Sequence, residues 1–113
     1  MNDNYSTPAH IKRLFNGWFD PCPLNPSPSF DGLAVEWGER TFVNPPYSNP
    51  APWVEKAIAE SGGGKTVVML LRVDTSTRWF AKLIEADAEI LWFSKRLRFT
   101  DKPANFPSML VVL

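Results

Sequence analysis

Thr66-Val67-Val68-Met69-Leu70-Leu71 decides the fold class of this chain. Successive side chains of a strand point to opposite faces, so a run that is apolar at every position from Val67 to Leu71 implies a strand buried on both sides. Such a strand is expected at the centre of a sheet with helices on either side. Upstream, residues Pro52 to Ser61 carry Trp53, Val54, Ala57 and Ile58 at helical spacing. Downstream, a polar exit of Arg72, Asp74, Thr75 and Ser76 leads to a second helical stripe, Trp79, Phe80, Leu83 and Ile84, within Thr77 to Ala86. Helix, strand and helix in alternation predict an α/β fold built on a mostly parallel sheet. Glu89 to Phe93 and Ser108 to Leu113 read as a final antiparallel pair joined through Thr100 to Pro107. The expected architecture is thus a sheet of about five strands with an antiparallel C-terminal strand.

Immediately before the central strand, Gly64-Lys65-Thr66 matches the end of a phosphate-binding P-loop, but Ala59 stands where its first glycine belongs. The order is also reversed, because a P-loop leaves a strand and enters a helix. Ser61 to Thr66 does the opposite, and reads as a helix C-cap and turn. Nucleotide triphosphate binding is discarded.

Further upstream, the short apolar strand Thr41-Phe42-Val43 ends in Asn44-Pro45-Pro46-Tyr47. Open α/β sheets build their sites at strand carboxyl ends. Two prolines fix φ and carry no N–H, so the corner is stiff and its carbonyls are free to accept. The Asn44 side-chain carbonyl and the Pro45 backbone carbonyl together suit one planar amino group, and the Tyr47 ring offers a face for a flat heterocycle. A plain Asn-Pro turn after an edge strand remains the alternative at this point. Ser48 and Asn49 either shape a pocket there or end the turn.

The N-terminal part is less regular. Thr7 and Pro8 mark a helix start, with Thr7 at the cap, Pro8 at the first helical position, and Ile11, Leu14 and Phe15 on one face. That helix should end near Gly17. Asp20 to Pro28 holds four prolines and is expected to be a rigid loop lining the surface or a cleft.

At 113 residues the chain should form one domain with one core. Twelve basic and twelve acidic side chains cancel, so any polyanion contact must come from a local cluster. A single cysteine, Cys22, and a single histidine, His10, leave no disulfide framework and no structural zinc set, so no metal is expected. With no bilayer-length apolar run and no signal-peptide pattern, the expected setting is a reducing cytoplasm without membrane contact.

Taken together, several pieces resemble the small phage-type DNA adenine N-6 methyltransferases, the Dam-like family of phages and prophages. They are Tyr5-Ser6-Thr7-Pro8, Phe19-Asp20-Pro21-Cys22, Asp31-Gly32-Leu33, Phe42-Val43-Asn44-Pro45-Pro46-Tyr47-Ser48, Trp53-Val54, Asp74-Thr75, Arg78-Trp79-Phe80, Arg96-Leu97-Arg98-Phe99 and Pro107-Ser108. Their order covers nearly the whole chain, although only the Asn44 motif is specific alone. The resemblance implies a reduced Rossmann-like class I methyltransferase core and S-adenosylmethionine as cofactor. It implies methyl transfer to the N-6 amine of an adenine extruded from DNA, with Asn44, Pro45, Pro46 and Tyr47 as the catalytic corner.

By the same resemblance, Tyr5, Thr7 and Pro8 close over the methionine end of the cofactor, Asp20, Pro21 and Cys22 form the loop beneath it, and Asn44 borders it. Asp31 matches the acid that meets the cofactor's adenine amine, while an Asp-Gly turn is its structural alternative. Ser48, Arg72, Arg78, Lys95, Arg96 and Arg98 are the DNA-binding candidates, each weighed against a solvated face. The chain departs from the wider methyltransferase pattern in two places. No glycine follows Asp20, and the interval from Cys22 to Asp31 has no room for the strand and helix that usually carry a ribose-binding acid. Because no segment is left for target recognition, sequence choice is expected from loops or from a second copy pairing over an exposed edge. Two other classes stay open: methylation of a glutamine or similar planar amide, and a non-catalytic protein that binds DNA or cofactor.

Overall fold

The computed structural model describes residues 5–113. The expected central strand is present as β2, Thr66–Arg72, and its side chains from Val67 to Leu71 are all buried. On one side it pairs in parallel with β1, Arg40–Val43, so that Phe42 lies opposite Val68. On the other it pairs antiparallel with β4, Ser108–Val112, placing Leu110 opposite Leu70. Strand β3, Glu89–Trp92, pairs antiparallel with β4 and forms the far edge, giving the order β1-β2-β4-β3. The C-terminal strand is therefore inserted inside the sheet and not added at its edge.

The sheet has four strands where about five were expected, and it is mixed, with one parallel pairing. Beyond β1, one residue, Phe19, makes a parallel bridge to Thr41, with Phe19 N–H bonding to Arg40 O and Phe42 N–H to Phe19 O, each at 2.9 Å. On either side the pairing stops, because Trp18 N–H is turned to Phe15 O, Cys22 N–H to the Asp20 carboxylate, and Pro21 and Pro23 carry no N–H.

Two helices cover one face. Helix α2, Ala51–Gly62, follows Pro50 and ends in a glycine turn whose Gly64 takes a left-handed φ of 93°. Helix α3, Arg78–Glu85, is capped by Thr77, whose hydroxyl accepts from Phe80 N–H. Val54 and Ala57 of α2 and Trp79 and Leu83 of α3 pack on Val67, Met69 and Leu71, while Val68 and Leu70 face the opposite layer. This strict alternation along β2 is what a two-sided core requires. Each fully buried Val, Leu or Met among them is worth about 1.5–3 kcal/mol relative to exposure.

The opposite face is covered differently from the expectation. A single turn of helix, α1 at Ala9–Lys12, continues as a 3-10 turn over Arg13–Phe15, and it shares this layer with the β3–β4 connection. Ile11 and Leu97 are the plugs, packed with Phe42, Val68, Leu70 and Leu110. Helix α1 begins one residue later than expected, with Pro8 at the cap and no side-chain capping bond, because the Thr7 hydroxyl is used elsewhere. Leu14, expected on the buried face, is exposed, since the tightening to a 3-10 turn rotates it outward.

Candidate active site

Asn44 leaves the carboxyl end of β1 and turns back toward the N-terminal segment Tyr5–Thr7, which crosses it as a strap. Its Nδ2 donates to the backbone carbonyl of Tyr5 at 2.9 Å and contacts the Thr7 hydroxyl at 3.2 Å. A backbone carbonyl can only accept, so the orientation of the amide is determined: the nitrogen faces the strap and only Oδ1 is left to accept from an incoming group.

A narrow cleft of about 70 Å³ opens at this point, lined by Tyr5, Thr7, Asp20, Cys22 and Asn44, with Ser6, Lys12, Leu24 and Phe42 completing its wall. Five of the residues assigned to cofactor contact by resemblance thus converge on one hollow. The Asp20 carboxylate accepts from Cys22 N–H at 2.9 Å. Burial raises its pKa above the ordinary carboxylate value, opposed by that N–H and by the nearby Lys12 cation. The loop is pressed onto Gly32, where a Cβ would lie 1.7 Å from the Pro21 carbonyl oxygen, so only glycine permits this approach. The Gly32 carbonyl in turn accepts from the Trp37 indole at 2.8 Å.

Tyr47 is not presented as an open face. It is 9% exposed, and its ring packs against Tyr5 at 5.0 Å, Phe106 at 4.9 Å and Phe99 at 5.6 Å between centroids. Its hydroxyl is buried with no hydrogen-bond partner among the described residues, and burial, with Tyr5 second, pushes its pKa well above the ordinary phenol range. The Tyr47 carbonyl is held by the Arg72 guanidinium, which also lies over the Trp79 ring and near Asp74. Phe99 and Phe106 are site residues that sequence reasoning passed over. Phe99 stood within the quoted Arg96 to Phe99 motif, but nothing local signals that it folds back onto Tyr47.

The remaining candidates are scattered. Pro45 is buried and Pro46 half-buried, as befits a packed corner. Asp31 is exposed and away from the cleft, its Oδ1 accepting from Leu33 N–H at 3.0 Å, so the Asp-Gly turn is what the structure contains. Arg72 is turned inward onto the corner, whereas Ser48 and Arg78 are exposed. Lys95, Arg96 and Arg98 are exposed on the β3–β4 connection, with Arg98 bonding to Asp101 O at 2.6 Å. Pro8 sits beside that connection. Lys65 of the glycine turn is paired with Glu36 at 3.0 Å and Glu60 at 3.1 Å, as a structural cap. Among the described residues no group of His, Cys, Asp or Glu is arranged to hold a metal, and no helix is long and apolar enough to cross a membrane.

These features define an α/β protein whose candidate site lies where β1 hands over to its diproline corner. The family described as DNA N-6-adenine-methyltransferase (Dam) matches residues 20–108, and the chain belongs to it. It is 40% identical over 96 residues to the DNA N-6-adenine-methyltransferase of Haemophilus phage HP1 (strain HP1c1), covering 76% of this chain and 56% of that protein. It is 30% identical over 112 residues to the DNA N-6-adenine-methyltransferase of Escherichia phage T1, covering 86% of this chain and 47% of the relative. The chain therefore spans about half the length of these curated relatives. No solved structure matches it significantly.

Proposed function

We propose that this chain transfers a methyl group from S-adenosylmethionine to the exocyclic N-6 amine of adenine in DNA, with residues 1–113 acting as one minimal domain. The observation that carries the proposal is the convergence of Tyr5, Thr7, Asp20, Cys22 and Asn44 on one cleft beside the diproline corner, in a chain of this family. The fold is accordingly read as a reduced Rossmann-like class I core, with the Phe19 bridge standing for a fifth, parallel strand.

The donor set of the cleft fits the cofactor's amino-acid end. Asp20 offers a carboxylate to an ammonium and Lys12 a cation to a carboxylate, so a zwitterion finds both its opposites in one cleft. Bound there, S-adenosylmethionine supplies an electrophilic methyl group on a sulfonium. At about 70 Å³ the cleft is well below the roughly 300 Å³ typical of small-molecule sites, so the Tyr5–Thr7 strap has to part to admit it. The strap carries both partners of the Asn44 amide nitrogen, and closing it sets Oδ1 in place.

At the corner, Asn44 Oδ1 and the Pro45 carbonyl accept hydrogen bonds from the target amine. Those bonds strengthen as the N–C bond forms, the C–S bond breaks to leave a neutral thioether and the nitrogen gains positive charge, which favours the transition state over the ground state; the surplus N-6 proton then passes to water. A paired adenine must leave the stack at a cost of a few kcal/mol, and stacking on an aromatic ring returns about 1–3 kcal/mol. Because Tyr47 is packed against Tyr5, Phe99 and Phe106, a base that reaches its ring must displace one of them. Tyr5 belongs to the same strap that admits the cofactor, so cofactor entry and base entry share one moving segment. Phe99 and Phe106 then flank the base from the other side.

Two copies pairing along the outer edge of β3 form part of this reading, since Leu91 and Trp92 are 54% and 58% exposed there. The central test incubates the protein with labelled S-adenosylmethionine and unmodified DNA, then resolves the digested nucleosides. N-6-methyladenine is the expected product, and Asn44→Ala should lower its rate of formation about 10²–10³-fold, the usual cost of one preorganised polar group. Absence of labelled N-6-methyladenine from the unaltered chain, or an undiminished rate in the variant, overturns the reading.

A further inference from the structure

A groove of about 660 Å³ runs between α1 with its 3-10 extension and the first part of the β3–β4 connection. Its first bank carries His10 and Arg13, and its second Lys95, Arg96 and Arg98, all exposed. Among the described residues no acidic side chain lines it. In a chain whose charges cancel overall, four cations and an imidazole gathered on two facing walls are a local concentration of positive potential. Both banks are anchored beneath: Ile11 and Leu97 are buried in the same core layer, and Leu97 O accepts from Ala104 N–H at 2.9 Å. The cations are therefore held at a set spacing and are not a loose tail.

The groove also leads to the site. Pro8 on its first bank adjoins Thr7, which contacts Asn44, and Arg98 on its second adjoins Phe99, which packs on Tyr47. We propose that this two-walled groove is the track for the phosphate backbone of the DNA strand carrying the target base, with Arg13 as a phosphate contact that the sequence candidates did not include. The proposal rests on the reading of DNA as substrate. Of the basic candidates it keeps Lys95, Arg96 and Arg98, and it adds Arg13, with His10 on the same bank. Arg72 is excluded because it is half-buried and turned inward onto the Tyr47 carbonyl and the Trp79 ring, unlike the exposed Arg98, and Arg78 because it lies on α3, on the other face of the sheet.

A polymer contact of this kind is sequence-independent and salt-dependent, losing about 0.7–0.9 of a power of salt concentration per phosphate neutralised. The test measures fluorescence anisotropy of labelled single-stranded and duplex DNA with the purified chain, without cofactor, across a salt series. Arg13→Ala and Arg96→Ala should each weaken binding about equally on unrelated sequences and reduce the salt slope by roughly 1. Arg78→Ala should match the unaltered chain, and Arg13→Lys should restore most of the slope. Circular dichroism of each variant distinguishes a lost contact from a lost fold. If groove variants bind with unaltered slope, the track is wrong while the methyltransferase reading stands. If the unaltered chain fails to bind DNA even at low salt, the groove and the DNA reading fall together.

Discussion

Replacing Asn44 by aspartate tests the strap and the corner at once, because it changes a donor to an acceptor with almost no change in shape. In the structure Nδ2 lies 2.9 Å from the Tyr5 carbonyl oxygen and 3.2 Å from the Thr7 hydroxyl. The hydroxyl can reverse and donate to a carboxylate, so that contact survives. The Tyr5 carbonyl cannot, and is left facing an anionic oxygen. Losing its partner costs about 1–3 kcal/mol, which corresponds to a roughly 5- to 150-fold shift toward the open strap. Asn44→Asp should therefore slow methyl transfer by one to two orders of magnitude near pH 8 and raise hydrogen exchange at the strap amides. The sign of the pH response follows from the same contact. A protonated carboxyl regains a donor toward Tyr5, so closure favours the neutral form and raises the pKa of the introduced acid above its ordinary value of about 3.9. The defect should accordingly shrink as pH falls toward that value, and a parallel measurement on the unaltered chain removes any general acid effect. Wild-type turnover and strap protection at pH 8 would refute the argument that the amide nitrogen holds the strap.

Three other substitutions follow from the geometry. Gly32→Ala drives a methyl into the Pro21 carbonyl and should cost about 3 kcal/mol or more in urea unfolding; an unchanged midpoint would show that the loop moves freely. Tyr47→Phe removes a buried hydroxyl that has no partner among the described residues and should leave stability unchanged or raise it by about 1 kcal/mol, whereas a clear loss would mean that the hydroxyl is bonded. Glu60 accepts from Trp37 N–H and pairs with Lys65 and Lys56, and these hold its pKa below the ordinary 4.5. Its contribution is thus present above that value and is lost as pH falls through the lowered one, so Glu60→Gln should flatten the acid limb of a stability-against-pH curve; superimposable limbs would refute the pairing.

Much of this molecule was legible from local pattern, and the exceptions share a cause. The central strand, both covering helices, the glycine turn and the terminal antiparallel pair follow from hydrophobic period and from capping residues, which act within a few positions of one another. The insertion of β4 between β2 and β3 does not, because an antiparallel strand pairs as readily at an edge as inside, and only the burial of Met109 and Val111 beneath α2 and α3 selects the inside. The second layer was misjudged for a similar reason. Leu14 has the spacing of a buried helical residue, but the chain tightens to a 3-10 turn there and it is Phe15 that packs inward, stacked on Phe42 at 4.4 Å.

The candidate site divides along the same line. From the residues alone came the stiff diproline corner at a strand end and the amide and ring it carries, since φ restriction and side-chain chemistry belong to each residue wherever it lies. Which way the Asn44 amide faces, that Tyr47 is enclosed by Tyr5, Phe99 and Phe106, that Arg72 serves the corner, and that Arg13 faces Lys95 and Arg96 were decided by tertiary contacts. Those contacts join positions from 25 to more than 80 residues apart along the chain. Local sequence carries no record of such distances, because only the closure of the sheet and the packing of both its faces bring those side chains together.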